Sequence, residues 1–172
     1  MNTSLIITVI ATDRPGLVNE ISEVLRSHNA NWMESRMIRL AGQFSGLLQL
    51  SVANDHIAAL TKSLQDMQTD DLHIQIKKNG DNEAAITNAA PLKLEILGQD
   101  RPGIVEDITR KLATLGVNIE EMLSEQRVAS MSNEILFFAE LSLHVPEGVQ
   151  IEEIQDTLEA MSDQLMVDLN FS

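Results

Sequence analysis

Asp13-Arg14-Pro15-Gly16-Leu17-Val18 and Asp100-Arg101-Pro102-Gly103-Ile104-Val105 are one pattern used twice, 87 residues apart (13 to 100). Each places an acid, a base, a proline and a glycine in a row before an apolar pair. Proline fixes its own φ and has no N–H to lose, so it suits the first turn of a helix. A helix N-terminus presents N–H groups without intrahelical partners and a partial positive charge, which together favour a carboxylate. Gly16 and Gly103 let a ligand approach the backbone closely, while Asp13 or Asp100 can pair with an ammonium group. Asn31 and Asn118, at the same offset, add an amide that both donates and accepts. A zwitterion has all of these needs, so each loop suits a small amino acid. The plainer reading stands beside this one. The segment is then only a helix start with the aspartate in its cap, the asparagines end a helix-to-strand loop, and Arg14 and Arg101 are ordinary exposed bases.

Other reactive residue types form no pattern. His28, His56, His73 and His144 share no ligand spacing, so no metal is assigned. There are no cysteines, which removes disulfides, thiolate nucleophiles and thiolate metal sites, and suits a reducing cytoplasm. Met33, Met37, Met67 and Met161 fall at core-like positions and read as packing. Glu152, Glu153, Asp156, Glu159 and Asp163 read as the solvated face of a helix, with a docking surface for a basic partner as the alternative. No catalytic residue and no cofactor is assigned.

The elements that must position the loops repeat with them. Leu5, Ile7 and Val9 align with Leu92, Leu94 and Ile96, alternating with other residues as half-buried strands do. Leu17, Val18, Ile21, Val24 and Leu25 follow helical spacing, as do Ile104, Val105, Ile108, Leu112 and Leu115. These helices stop near Ser27-His28-Asn29 and at Gly116. Two strands follow in each copy, at about 32–41 and 44–53, then 118–129 and 134–145, by the same period-two pattern. Ala41-Gly42-Gln43 makes the first hairpin turn, and a longer connection at Ala129 to Asn133 makes the second. Ile57, Leu60, Leu64 and Met67 match Ile151, Ile154, Leu158 and Met161 as the apolar face of a second helix. Final strands carry Leu72, Ile74 and Ile76, then Leu165, Val167, Leu169 and Phe171. The order βαββαβ, twice, predicts an α+β chain of two ferredoxin-like domains, each an antiparallel sheet with its helices on one face. The domains are expected at 1–79 and 91–172, joined by a polar linker at 80–90. Ile6, Ile10, Leu47 and Phe138 fall on or near the face without helices, which predicts cover from another sheet or module, by the two modules pairing side by side within the chain and by a homo-oligomer.

Composition narrows the function. Hydrophobic content of 44% with 22% charged residues permits a sizeable core in each of two domains. The apolar run from Leu5 to Ala11 is a strand's length, far short of the roughly 20 residues of a membrane span, so neither a span nor a signal peptide is expected. The net charge of −14 is uneven: residues 1–79 hold 7 basic against 8 acidic side chains, and residues 80–172 hold 5 against 18. Phosphate-backbone binding draws on Lys and Arg, so direct nucleic-acid binding is not expected. With only Trp32 and four phenylalanines, an RNA-binding sheet also lacks its stacking aromatics.

A first strand, Asp-Arg-Pro-Gly, a helix and then Asn-Trp or Asn-Ile, inside βαββαβ, resembles the ACT domain family, over nearly the whole chain outside the linker. The resemblance implies amino-acid binding at the loop between first strand and first helix, against a neighbouring module. The positions carried over are Asp13, Arg14, Gly16, Leu17 and Asn31, with Asp100, Arg101, Gly103, Ile104 and Asn118 in the second copy. Some amino-acid-binding relatives carry a polar side chain two residues before the loop acid, where this chain has Ala11 and Gly98. Two such modules with little else imply a cytoplasmic regulator of transcription, acting on glycine cleavage in response to a small amino acid such as glycine. Without a DNA-binding element, it would act by capturing a transcription-activator protein. The enzyme alternative is an acylphosphatase-like hydrolase, which uses the same sandwich with a loop arginine and an asparagine.

Overall fold

The computed structural model describes residues 1–79, 91–161 and 166–170, with only the backbone for 168–170. The chain forms two compact units. The first comprises β1 (Asn2–Thr12), α1 (Leu17–Ser27), β2 (Asn31–Leu40), β3 (Gln43–Ala53), α2 (Ile57–Asp66) and β4 (Leu72–Lys78). The second repeats them as β5 (Leu92–Gln99), α3 (Ile104–Thr114), β6 (Asn118–Val128), β7 (Ile135–His144), α4 (Ile151–Glu159) and β8 (Met166–Asn170). Each sheet is antiparallel, in the orders β2-β3-β1-β4 and β6-β7-β5-β8. The two tandem ferredoxin-like domains expected from the repeat are therefore present. The linker assigned to 80–90 lies outside the described residues, as do Leu165, Phe171 and Asp163.

Period-two burial makes each sheet one-sided. Leu5, Ile7, Val9 and Ala11 of β1 are buried with Leu17, Ile21 and Leu25 of α1 and Leu60 and Leu64 of α2. Leu92, Leu94 and Ile96 of β5 are buried with Ile104, Ile108 and Leu112 of α3 and Ile154 and Leu158 of α4. Transfer of apolar area from water is the main force holding helices to sheet. Val18 and Val105 depart from the expectation: both are exposed, because each lies one residue, about 100°, round the helix from its buried neighbour. The helices end as read. Asn29 (φ 52°) and Gly116 (φ 71°) turn left-handed, and the amides of Ala30 and Val117 return to the carbonyls of Leu25 and Leu112.

Ala41 (φ 50°) and Gly42 (φ 81°), both left-handed, form a two-residue turn whose twist matches that of the strands, closing β2 on β3 with Leu40 opposite Gln43. The second hairpin closes through Ala129 to Glu134, with Asn133 left-handed. Both edge strands carry a bulge at the same place, between Trp32 and Glu34 and between Ile119 and Glu121. That bulge corrects one packing expectation. Met33 is the extra residue and stands 57% exposed, whereas Met37, Met67 and Met161 pack against the cores.

On the faces without helices, Ile10 and Leu47 are about half exposed, at 50% and 49%. Ile6 and Phe138 are partly buried, and the Arg127 guanidinium lies over the Phe138 ring, 3.3 Å from its centroid. The acids Glu152, Glu153, Asp156 and Glu159 of α4 are exposed, as a solvated face requires. His28 bonds Ser63 Oγ through Nε2 (2.8 Å), and His56 Nδ1 lies 2.9 Å from the His28 carbonyl, so two histidines join the end of α1 to α2 and to the residue before it.

Truncating Leu112, fully buried in the second core, to alanine should cost about 2–5 kcal/mol of stability. Val105→Ala, on the same helix but exposed, should change it by about 0.5 kcal/mol or less. Urea unfolding of the full chain measures both.

Candidate functional site

Each strand-to-helix corner is anchored before its glycine is reached. The Asp13 amide donates to the Gly42 carbonyl (3.0 Å), tying the corner to the hairpin turn, and the Asp100 amide donates likewise to Ile135 (3.1 Å). After the proline, Gly16 (φ 87°, ψ −11°) and Gly103 (φ 85°, ψ −1°) are left-handed and are themselves the N-caps. No side chain caps either helix, so neither aspartate serves as the cap and that part of the plainer reading fails. The glycines are required by conformation rather than space. A Cβ at Gly16 would come no nearer than 3.9 Å to another group, but a side chain is strained at that φ.

Both loop arginines turn back onto their own helices. Arg14 Nη1 and Nη2 donate to the two carboxylate oxygens of Glu20, both at 2.6 Å. Arg101 Nη2 donates to Asp107 Oδ2 at 2.6 Å, and Arg110 holds the other oxygen of Asp107. The duplication aligns Glu20 with Asp107, so this clamp is a repeated feature. The hydrogen bond from Arg14 holds the Glu20 carboxyl below its ordinary range, and that from Arg101 does the same for Asp107. Glu20 in turn raises Arg14. Leu17 and Ile104 put their side chains into the cores, which leaves the backbone as their means of meeting a ligand.

The two aspartates meet different partners. Asp13 Oδ2 accepts from Arg39 Nε at 2.8 Å, whereas Asp100 Oδ2 accepts from Gln126 Nε2 at 2.6 Å. Beside Asp100 is an open cleft of about 420 Å³, lined among others by Arg101, Gly103, Ile104, Ser124 and Gln126. Four predicted residues of the second copy thus share one cleft. Sequence reasoning missed Ser124, Gln126 and Arg39. The signal for them was the hairpin: its closure returns the far end of the edge strand to the corner.

Asn31 and Asn118 are not at these corners. Asn31 opens β2 opposite Ser51, which lies opposite Ser4 at the start of β1, while Asp13 follows the end of β1. The separation is the length of the strand, roughly 27 Å at the rise of an extended chain. Asn118, opposite His144, is at the same remote end of its own sheet. The expectation that aspartate and asparagine meet one zwitterion therefore fails within a module, because the helix between them carries the chain back along the length of the sheet. Asn31 instead donates to Met33 Sδ at 3.1 Å. Among the described residues no three His, Asp or Glu side chains gather as a metal site, and no helix is long and apolar enough to cross a membrane.

The family model of the ACT domain matches residues 3–77 and again 91–172. The glycine cleavage system transcriptional repressor of Escherichia coli (strain K12) is 23% identical over 163 residues, covering 94% of this chain and 85% of that protein. Among solved structures, a protein of unknown function from Galdieria sulphuraria superimposes with a TM-score of 0.81 at 26% identity, covering 98% of both chains. Another, provisionally described as a glycine cleavage system transcriptional repressor, gives 0.73 at 19% identity over 100% of this chain and 99% of its own. At that identity the second likeness shows the fold.

The arginine clamp has a sign that titration can read. Asp107 has a depressed folded pKa, so its contribution to stability is present above the unfolded value and is lost as pH falls through the folded one. Arg101→Gln should move the Asp107 carboxyl titration upward, towards its ordinary range, in a carbon-13 NMR pH series. An unmoved titration would show that the clamp is not populated in solution.

Proposed function

The chain belongs to the ACT domain family, and on that premise we propose that it is an amino-acid-responsive regulator that acts through another protein. One observation carries the reading: a carboxylate, a left-handed glycine and a helix N-terminus open together onto a cleft of about 420 Å³ beside Asp100. That volume lies within the range of small-ligand sites, about 300–1,000 Å³. The carboxylate suits an ammonium group and the helix N-terminus a carboxylate, so the cleft fits a zwitterion. The ligand-contact residues are Asp13, Arg14, Gly16 and Leu17 with Asp100, Arg101, Gly103 and Ile104. Asn31 and Asn118 stay in the proposal only for a ligand at their own end of the sheet. Domain boundaries at 1–79 and 91–172, with 80–90 between them, belong to the same reading.

The likeness to a glycine cleavage repressor over 94% of the chain supports a role in transcription and glycine as the first ligand to try. Charge supports a protein partner over DNA. With 5 basic against 18 acidic side chains in residues 80–172, that half is repelled by phosphates and attracted to a basic surface. The captured protein is a DNA-binding activator, and a cytoplasmic setting and self-association through the bare sheet faces complete the picture. A coupling of about 1–3 kcal/mol between ligand and partner would change partner affinity about 5- to 150-fold.

The acylphosphatase-like alternative needs a loop arginine and an asparagine at one phosphate. Arg14 is clamped by Glu20, and Asn31 is a strand's length away. That separation counts against the hydrolase.

Calorimetric titration with the twenty amino acids should find a binder among the small ones. At 100 times its dissociation constant that ligand should stabilise the fold by about 2.7 kcal/mol. Capture of a transcription factor by the immobilised full chain should change with glycine. Silence across all twenty titrations, with no partner captured under any condition, would end the reading.

A further inference from the structure

The duplication aligns Met37 with Ser124 and Arg39 with Gln126; Arg39 reaches Asp13 at the first corner, and Ser124 and Gln126 line the cleft at the second. We infer that the corners are not equivalent: the second is open to the ammonium group of a small zwitterion, while the first is closed by its own Arg39. The inference rests on the amino-acid-sensing reading above and assigns that reading to one corner, with Gln126 and Ser124 as the residues that set it apart.

In the first module the acid already has a cation. The Arg39 guanidinium donates to Asp13 at 2.8 Å, so it occupies the place an ammonium group would take. An incoming amine must displace that guanidinium and sit beside it, and two like charges at one acid repel. In the second module the equivalent residue is an amide. Gln126 donates one hydrogen bond to Asp100 at 2.6 Å and leaves the carboxylate's charge uncompensated. A carboxylate with one neutral donor keeps acceptor capacity for others.

The other charges at the cleft are already matched. Arg101 is held by Asp107 at 2.6 Å, and Glu125 by Arg127 at 2.5 Å. Asp100 is then the acid left for an outside cation, and the first turn of α3 supplies N–H groups for the attached carboxylate. Ser124 lines this cleft, whereas the aligned Met37 packs against the core of the first module.

The test is calorimetric titration of the full chain with glycine, then with each other amino acid, with circular dichroism to confirm folding. One equivalent per chain is expected. Gln126→Arg, which copies the first corner's closure, and Asp100→Asn, which removes the acid, should each weaken binding about tenfold or more, as loss of a charge-assisted bond does. Two equivalents per chain would overturn the inequivalence and leave amino-acid sensing standing. One equivalent that neither folded variant disturbs would overturn the assignment to the second corner and likewise leave amino-acid sensing standing. No heat with any amino acid would overturn both.

Discussion

A left-handed residue between a proline and the first helical turn sets the geometry of each module. With φ at 87° and 85°, Gly16 and Gly103 let the chain leave a strand and enter a helix that packs back over the same sheet. The proline fixes the approach, the glycine reverses it, and the buried Leu17 or Ile104 follows at once to pin the helix to the core. The N-cap is a glycine with no side-chain oxygen, so capping does not consume the acid three residues earlier. The acid is held by its own backbone N–H, bonded to the end of the neighbouring hairpin. Its carboxylate is thereby released for another partner, and the character of the corner depends on which partner it finds.

That partner comes from the edge strand, at a place fixed by hairpin length. The two-residue turn at Ala41-Gly42 returns β2 so closely that Arg39 reaches Asp13. In the second module the connection is longer, yet the pairing of Gln126 with Phe137 brings the amide to Asp100. The loop arginines do not compete for these acids, because each is already clamped by an acid in the first or second turn of its helix. Two ion-pairing systems sit side by side without mixing. The clamp is common to both corners, whereas the pairing of the aspartate differs.

Much of this is legible in the sequence. The duplicated Asp-Arg-Pro-Gly, the period-two strands and the helical faces gave the βαββαβ order, since each is a local pattern that burial enforces. What was not legible depends on three-dimensional adjacency. Val18 and Val105 look like core residues by composition and lie just off the buried stripe. Met33 looks buried by alternation, but a bulge removes it from the alternation. Asp13 and Asn31 are close in sequence and belong to one motif, yet the helix between them carries the chain back along the sheet. Arg39 and Gln126 could have been found by asking which residues a hairpin returns to its starting edge.

The uneven charge of the chain bears on these corners in a particular way. A zwitterion has no net charge, so the acidic surplus of residues 80–172 does not concentrate it as it would a cation. The field acts on orientation instead, favouring approach with the ammonium end forward. Asp100, with a neutral amide as its neighbour, continues that gradient into the cleft, and the partial positive charge at the start of α3 reverses it over the last few ångströms. A ligand with both charges a short distance apart can satisfy both ends of that reversal. A simple amine satisfies one and a simple carboxylate is repelled before reaching the other. On the proposed reading, selectivity for small amino acids over either parent ion requires no enclosed pocket, only an acid left uncompensated next to a helix end. Once Arg39 supplies the cation from within, the first corner no longer has that reversal to offer.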